Sequence, residues 1–148
     1  TKTGRSAFDA TKEPFVALED LLAGNPPTGV EAEDGLAFGE YAYRDVLMKR
    51  IESTLNHLKA NINTADRLKE DPTAVKRKLA LLATLMTVVA TPGYDYTEEA
   101  DYKKYAGNFI DAALTGSTAV DGNDFETFSS SLGEMQKACG ECHQKYAF

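Results

Sequence analysis

Residues 124–147 read DFETFSSSLGEMQKACGECHQKYA, and the apolar side chains in this stretch recur every three or four residues. The members of this series are Phe125, Phe128, Leu132, Met135, Cys139, Cys142 and Tyr146. Because an α-helix turns once in about 3.6 residues, the spacing predicts a helix over residues 124–147 with one apolar stripe. Asp124 follows the turn Asp121-Gly122-Asn123 and is the expected N-cap. Both cysteines of the chain therefore lie on the stripe that faces the core.

The motif Cys139-Gly140-Glu141-Cys142-His143 is compatible with three kinds of site. A thioredoxin-type redox pair requires a βαβ context, and no strand-like alternation precedes the motif. A structural zinc site requires about four ligands, and the only other histidine is His57. Covalent haem attachment uses two thiols that add to vinyl groups and an adjoining imidazole that binds iron. We therefore predict one haem c per chain, bound to Cys139 and Cys142, with His143 as the proximal ligand.

Helix geometry explains why this spacing suits a porphyrin. Cys139 and Cys142 are three residues apart, and His143 is four residues from Cys139, so one helical turn presents all three groups to one edge of the ring. Thioether attachment takes place outside the cytoplasm, which predicts a periplasmic or otherwise exported protein. No secretory signal is visible at the amino terminus, as expected for a chain whose leader has been removed.

The rest of the chain also has helical periodicity and no strand alternation. The further predicted helices span residues 32–69, with a bend or break near Asn61–Thr64, residues 73–90, and residues 97–114, ending before Gly116. The stripe of the first comprises Tyr41, Arg44, Met48, Ile51, Leu55, Leu58 and Ile62. Four amphipathic helices joined by short loops predict an all-α protein, with the helices arranged as an antiparallel four-helix bundle.

The segment before the bundle is predicted to contain one extra short helix. Phe15, Leu18 and Leu22 have helical spacing, Pro14 suits a first turn, and Gly24-Asn25-Pro26-Pro27 ends the element. This helix would span residues 14–23. The predicted organisation is an N-terminal extension over residues 1–30 and a haem-binding four-helix bundle over residues 31–148.

The chain resembles the cytochrome c′ family of class II c-type cytochromes, which includes low-spin relatives with a methionine iron ligand. Residues 132–146, LGEMQKACGECHQKY, are similar to the final helix of that family, and residues 41–49, YAYRDVLMK, are similar to its first bundle helix. In that helix an arginine is followed four residues later by the side chain over the distal haem face. Arg44 and Met48 match this pattern, whereas Ala147 stands where the family generally has a basic residue.

The resemblance implies that Met48 lies on the distal side of the haem, where it has one of two roles. If its thioether binds iron, the protein is a low-spin electron carrier, because a soft neutral ligand stabilises ferrous iron. If Met48 only packs above the ring, the iron is five-coordinate and can bind a small diatomic gas such as nitric oxide or carbon monoxide. His57 is nine residues away on the opposite helix face and is expected at the surface, while Met86 and Met135 are expected in the core.

Arg44 is the second residue to which the resemblance gives a role. A guanidinium on an apolar stripe is costly unless it is paired, and a haem propionate is a suitable bidentate partner. The alternative is a side chain that extends along the surface to reach solvent.

Charge and composition restrict the remaining function classes. Sixteen basic and 23 acidic residues give a net charge of −7, which argues against nucleic-acid binding. The longest apolar stretch, residues 79–90, is shorter than the roughly 20 residues of a membrane span. We recognise no distal acid–base pair for catalysis, so we expect no enzyme. The prediction is electron transfer with redox partners that carry basic docking patches, with gas binding as the alternative. The resemblance also makes a homodimer plausible.

Overall fold

The computed structural model describes residues 38–146, the side chains of Phe38 and Tyr41 excepted. Helices cover most of this range, and no strand occurs within it, which confirms the all-α prediction. The helices are α1 (Phe38–Tyr41), α2 (Arg44–Asn61), α3 (Ala65–Glu70), α4 (Pro72–Val89), α5 (Ala100–Asp121) and α6 (Phe125–Tyr146). The predicted extension over residues 1–30 and its helix over residues 14–23 lie outside the described residues.

The long helices α2, α4, α5 and α6 share one apolar core. α5 packs against both α4 and α6, while α2 packs against α4 and, over a shorter stretch, against α6. The most deeply buried large side chains are Leu58, Leu68, Leu79, Leu82, Val89, Phe109, Val120, Phe128 and Met135. Burial of each contributes about 1.5–3 kcal/mol, so this core is the main source of stability. Within residues 38–146, no helix is long and apolar enough to cross a membrane.

The break expected near Asn61–Thr64 is confirmed. α2 ends at the beginning of this segment, and α3 starts at Ala65. The side-chain oxygen of Thr64 accepts a hydrogen bond from the Arg67 amide at 3.2 Å. A cap of this kind stabilises a helix by about 1 kcal/mol, which favours a new start here over a continuous helix.

The prediction of one helix through residues 41–44 is wrong, because Ala42 and Tyr43 separate α1 from α2. The Tyr94 hydroxyl donates a hydrogen bond to the Ala42 carbonyl oxygen at 2.6 Å. Tyr43 has extended backbone angles, φ −62° and ψ 129°. A Cβ atom on Gly39 would collide with the carbonyl group of Gly93, so a distant turn packs directly on α1. A contact across 52 positions in the chain thus accompanies the break.

The starts of α4 and α6 agree with the predictions. The Asp71 side chain accepts a hydrogen bond from the Ala74 amide at 2.9 Å, and Pro72 occupies the first turn of α4. Asp124 is the N-cap of α6, since its Oδ1 accepts a hydrogen bond from the Thr127 amide at 3.0 Å. Both helices match their predicted ranges to within one residue at each end.

The predicted end of the fourth helix before Gly116 is wrong, because α5 continues to Asp121. Gly116 is buried, and a Cβ atom there would lie 2.5 Å from the Ser131 Oγ and 3.5 Å from a Leu79 methyl group. The residue therefore allows α4, α5 and α6 to approach closely. In this position glycine is a packing residue within a helix and not a terminator.

Gly107 and Gly116 form a matched pair for testing this close approach. Nothing lies within 4 Å of a Cβ atom built on Gly107, so Gly107→Ala is expected to raise the free energy of unfolding by about 0.5–1 kcal/mol through helix propensity. Gly116→Ala displaces Ser131, whose hydroxyl donates to the Phe128 carbonyl at 2.7 Å. We expect it to be about 1–3 kcal/mol less stable than Gly107→Ala. Urea unfolding measures both, and equal stabilities would contradict the packing role.

Candidate functional site

A cavity of about 580 Å³ lies between α2, α5 and α6, with one residue of α4 also in its wall. Its apolar wall is formed by Ile51, Leu55, Met86, Ala106, Phe109 and Ala138. Near one end of the cavity, Lys59 of α2 donates a hydrogen bond to the Gln136 side-chain oxygen of α6. At the rim, Lys49 and Asp45 form an exposed ion pair of 3.2 Å, an interaction that contributes little in water. The cavity is thus an apolar space with a polar, solvated edge.

Four of the five predicted site residues line this cavity. Cys139, Cys142 and His143 come from the last two turns of α6, and Met48 comes from α2. Both thiols are half-buried and form no disulfide, while His143 is exposed. Met48 is partly buried and packs against the core. The structure therefore brings the Cys139–His143 motif and the predicted distal residue together on one cavity.

Arg44, the fifth predicted residue, is not part of the cavity lining. Its Nη2 donates a hydrogen bond to the Asp95 carbonyl oxygen at 2.7 Å. The guanidinium carbon lies 5.5 Å from the ring centroid of Tyr94, 5.9 Å from that of Tyr96 and 5.9 Å from that of Tyr102. Its Nε is buried and has no hydrogen-bond partner among the described residues. Water therefore does not reach this atom. In an arginine whose side chain extends into solvent, Nε would be hydrated.

The electrostatics of the two thiols differ from those of a redox-active pair. Burial raises the pKa of Cys139 to about 11, and the neighbouring Cys142 adds to the shift. Burial also raises the pKa of Cys142, although the Arg44 charge opposes this. A thioredoxin-type nucleophile instead has its pKa lowered at a helix N-terminus. Here both residues lie near the carboxyl end of a helix, so neither position nor burial favours a thiolate.

The residues around the cavity fit a haem group. Its volume falls within the roughly 300–1,000 Å³ of small-molecule and cofactor sites, and most of its wall is apolar. Cys139 and Cys142 supply two sulfur atoms and His143 supplies an imidazole on one turn of α6. Outside the cavity lining, the buried Nε of Arg44 lacks an acceptor among the described residues, a role that a carboxylate would fill.

The sequence patterns did not reveal the surroundings of Arg44. Tyr94 and Tyr96 belong to the loop between α4 and α5, a segment that lies between the two predicted helices and to which the sequence assigns no function. Tyr102 belongs to α5. It is 3% exposed, and its hydroxyl donates to the Val89 carbonyl oxygen at 3.0 Å. The signal available in the sequence was three closely spaced tyrosines, but nothing local connects them to a residue some fifty positions earlier.

The rival iron ligands lie where the sequence predicts. His57 is exposed, and its backbone carbonyl accepts a hydrogen bond from the Asn61 side chain at 2.9 Å. Met86 and Met135 are buried in the core at 8% and 0% exposure. Met86 also lines the cavity, which its helix stripe alone did not indicate.

Within residues 38–146, no three His, Cys, Asp or Glu side chains converge on a point where they could hold a metal ion. A structural zinc site would use such a group. Comparisons of the chain with protein-family models, with curated proteins and with solved structures find no match. The resemblance to cytochrome c′ therefore remains a prediction from the sequence motifs.

The raised pKa of Cys139 predicts how this thiol reacts in the haem-free chain. Because only the thiolate is alkylated, the rate with iodoacetamide is expected to keep rising up to about pH 11. The same chain in urea provides the control, since its thiols lose their burial and level off near the ordinary pKa. Peptide mapping of the alkylated protein measures each cysteine separately. A rate that levels off below pH 8 would instead indicate a redox-active pair.

Proposed function

We propose that this chain is an exported monohaem c-type cytochrome of the cytochrome c′ type that transfers electrons. One observation carries the proposal. The two thiols and the imidazole of the Cys139–His143 motif occupy one turn of α6 and line a cavity of cofactor size. Met48 faces the same cavity from α2. This is the set of groups that covalent attachment and axial ligation of a haem require.

The architecture we propose is an antiparallel four-helix bundle, with the short N-terminal helix in addition. Ion pairs support the direction of the helices. Lys76, near the start of α4, contacts Asp121 at the end of α5 at 2.7 Å. Lys145, near the end of α6, contacts Asp101 at the start of α5 at 2.8 Å. Neighbouring helices joined in this way run in opposite directions, as in an up-and-down bundle.

Three residues of α6 would bind the haem, each through a different bond. Cys139 and Cys142 would form thioethers, which fix the group to α6 and remove two thiols from the apolar wall. His143 would bind iron through Nε2 and keep Nδ1–H for an acceptor that sets its basicity. The haem supplies a one-electron couple, and the protein supplies its orientation, its partly apolar surroundings and an accessible edge.

Met48 would determine which of two functions the iron performs. Its position on the cavity supports ligation through sulfur, which raises the reduction potential and suits an electron carrier. Its packing against the core favours the second candidate, in which the iron stays five-coordinate and binds nitric oxide or carbon monoxide. We place electron transfer first, and its redox partners would carry basic patches that complement the net charge of −7.

Covalent attachment is tested by producing the chain in an exporting host with haem-attachment machinery. The purified protein is expected to be coloured, to retain its pigment in acid–acetone, and to gain the mass of one haem. Cys139→Ala and Cys142→Ala should each leave a single thioether, which the pyridine haemochrome spectrum detects. A colourless wild-type protein, or pigment extracted by acid–acetone, would refute the proposal.

Met48→Ala separates the two candidate functions. For a carrier, the ferric wild type is expected to be low-spin with the weak near-infrared band of an iron–sulfur bond, and the variant should lose that band. Met135→Ala provides a matched control, because this buried methionine does not line the cavity. A high-spin wild type whose spectrum shifts readily with carbon monoxide would favour gas binding instead.

Arg44→Leu is expected to lower the reduction potential, because it removes a positive charge that opposes the oxidised state. A unit charge at about 10 Å in a medium of effective dielectric 20 corresponds to an interaction on the order of 1–2 kcal/mol, or tens of millivolts. Arg44→Lys keeps the charge and is the control. Redox titration measures the potentials, and an unchanged value in Arg44→Leu would exclude pairing with a propionate.

A further inference from the structure

Three tyrosine rings surround the Arg44 guanidinium. Tyr94 and Tyr96 come from the loop over residues 91–99, and Tyr102 comes from α5. Each ring centroid lies within 6 Å of the guanidinium carbon, the range in which a cation is attracted to an aromatic face. We call these three residues the tyrosine cage. The cage restricts the directions from which water reaches the cation.

The loop that provides two of the rings is held by successive carbonyl groups. The Tyr94 carbonyl accepts a hydrogen bond from Thr97 Oγ1 at 3.0 Å. The Asp95 carbonyl accepts one from Arg44 Nη2 at 2.7 Å. The Tyr96 carbonyl accepts one from the Glu99 amide at 2.9 Å. The Tyr94 hydroxyl also reaches the Ala42 carbonyl, two residues before Arg44. The loop is therefore fastened to the start of α2 through both its backbone and its side chains.

Tyr96 holds its place in the cage at a conformational cost. Its φ is 68°, in the left-handed region that bulky side chains avoid, and such a backbone costs on the order of 1–3 kcal/mol. Its ring contacts the Tyr146 ring with centroids 5.1 Å apart. Tyr146 is 8% exposed and also contacts Tyr102 at 5.5 Å. Packing at the end of α6 thus maintains a strained residue beside the cation.

One polar atom of Arg44 remains unsatisfied inside this arrangement. Nη2 donates a hydrogen bond to the Asp95 carbonyl of the loop. Nε is buried and has no hydrogen-bond partner among the described residues. We propose that Tyr94 and Tyr96 are positioning residues that hold Arg44 so that Nε receives a carboxylate of the haem in a site shielded from water. This inference rests on the proposed function and adds residues that act through Arg44 and do not touch the cofactor.

Shielding has a consequence for protonation. A carboxylate paired with a partly buried guanidinium keeps its charge below the ordinary pKa of a carboxyl group, so electron transfer takes up no proton there. The titratable groups that face Arg44 are Tyr94 and Tyr96 from the loop, Tyr102 from α5 and Cys142 from α6. Burial raises the pKa of Tyr102, and Cys142 would be an uncharged thioether once attached. The cage therefore keeps the carboxylate charged through the acidic range in which a solvated carboxyl group takes up a proton.

The test is the reduction potential of the haem-loaded protein measured between roughly pH 3 and 7, a range that contains the ordinary pKa of a carboxyl group. Wild type is expected to be independent of pH. Tyr94→Leu and Tyr96→Leu should admit water, raise the pKa of the carboxylate and give a potential that falls as pH rises, towards about 59 mV per tenfold change in proton concentration. Tyr94→Phe keeps the ring and should behave as wild type. Tyr43→Leu, at a tyrosine that is 67% exposed and outside the cage, is the matched control.

The outcomes separate this inference from the proposed function. A sloping profile in Arg44→Leu and flat profiles in both cage variants would overturn the positioning role while leaving the haem and its arginine in place. If the reduction potential of Arg44→Leu is also independent of pH, the pairing of Arg44 with the haem carboxylate is contradicted as well. A chain that carries no haem would refute the proposed function itself. Circular dichroism checks that each variant is folded, and Tyr94→Phe retains the packing if Tyr94→Leu does not fold.

Discussion

The structure depends on the separation of α2 from α6. α5 and α6 pack together along their length, whereas α2 reaches α6 over only a short stretch that includes Lys59 and Gln136. The other end of α2 is fastened to the α4–α5 loop through Arg44 and Asp95. With both ends fixed, the middle of α2 borders a cavity. A group attached to the cysteines of α6 would occupy this space, because the stripe that bears them faces it.

The same fastening explains the unusual position of Arg44. Leaving a buried donor unpaired costs about 1–3 kcal/mol, and more when the group is charged. The tyrosine rings offset part of this cost through cation–π attraction, and the Asp95 carbonyl satisfies one nitrogen. Nε remains without an acceptor among the described residues. Under the proposed pairing with a haem carboxylate, a guanidinium already held by the loop would need little further ordering to bind the anion.

Local sequence signals predicted the features that local interactions determine. Asp124 was identified as an N-cap because a short acidic side chain after a turn satisfies the first amides of a helix, and the structure confirms it. Gly116 was misread as a helix end, since a sequence does not show that another helix approaches the same residue. The break before Arg44 and the tyrosine cage depend on contacts between residues about fifty positions apart. The prediction for the cysteines and His143 needed no such information, because it rests on their spacing within one helix.

The position of the cysteines within α6 favours the proposed haem attachment over thiol redox chemistry. A dithiol that exchanges electrons needs a stabilised thiolate, which a helix N-terminus or a nearby cation provides. Cys139 instead lies in the penultimate turn of its helix, where burial raises its pKa to about 11 and the helix dipole disfavours negative charge. A thioether carries no charge at any pH, so burial against the apolar wall imposes no ionic penalty on it. The environment that makes these cysteines poor redox groups thus suits them to a permanent, uncharged link to a cofactor.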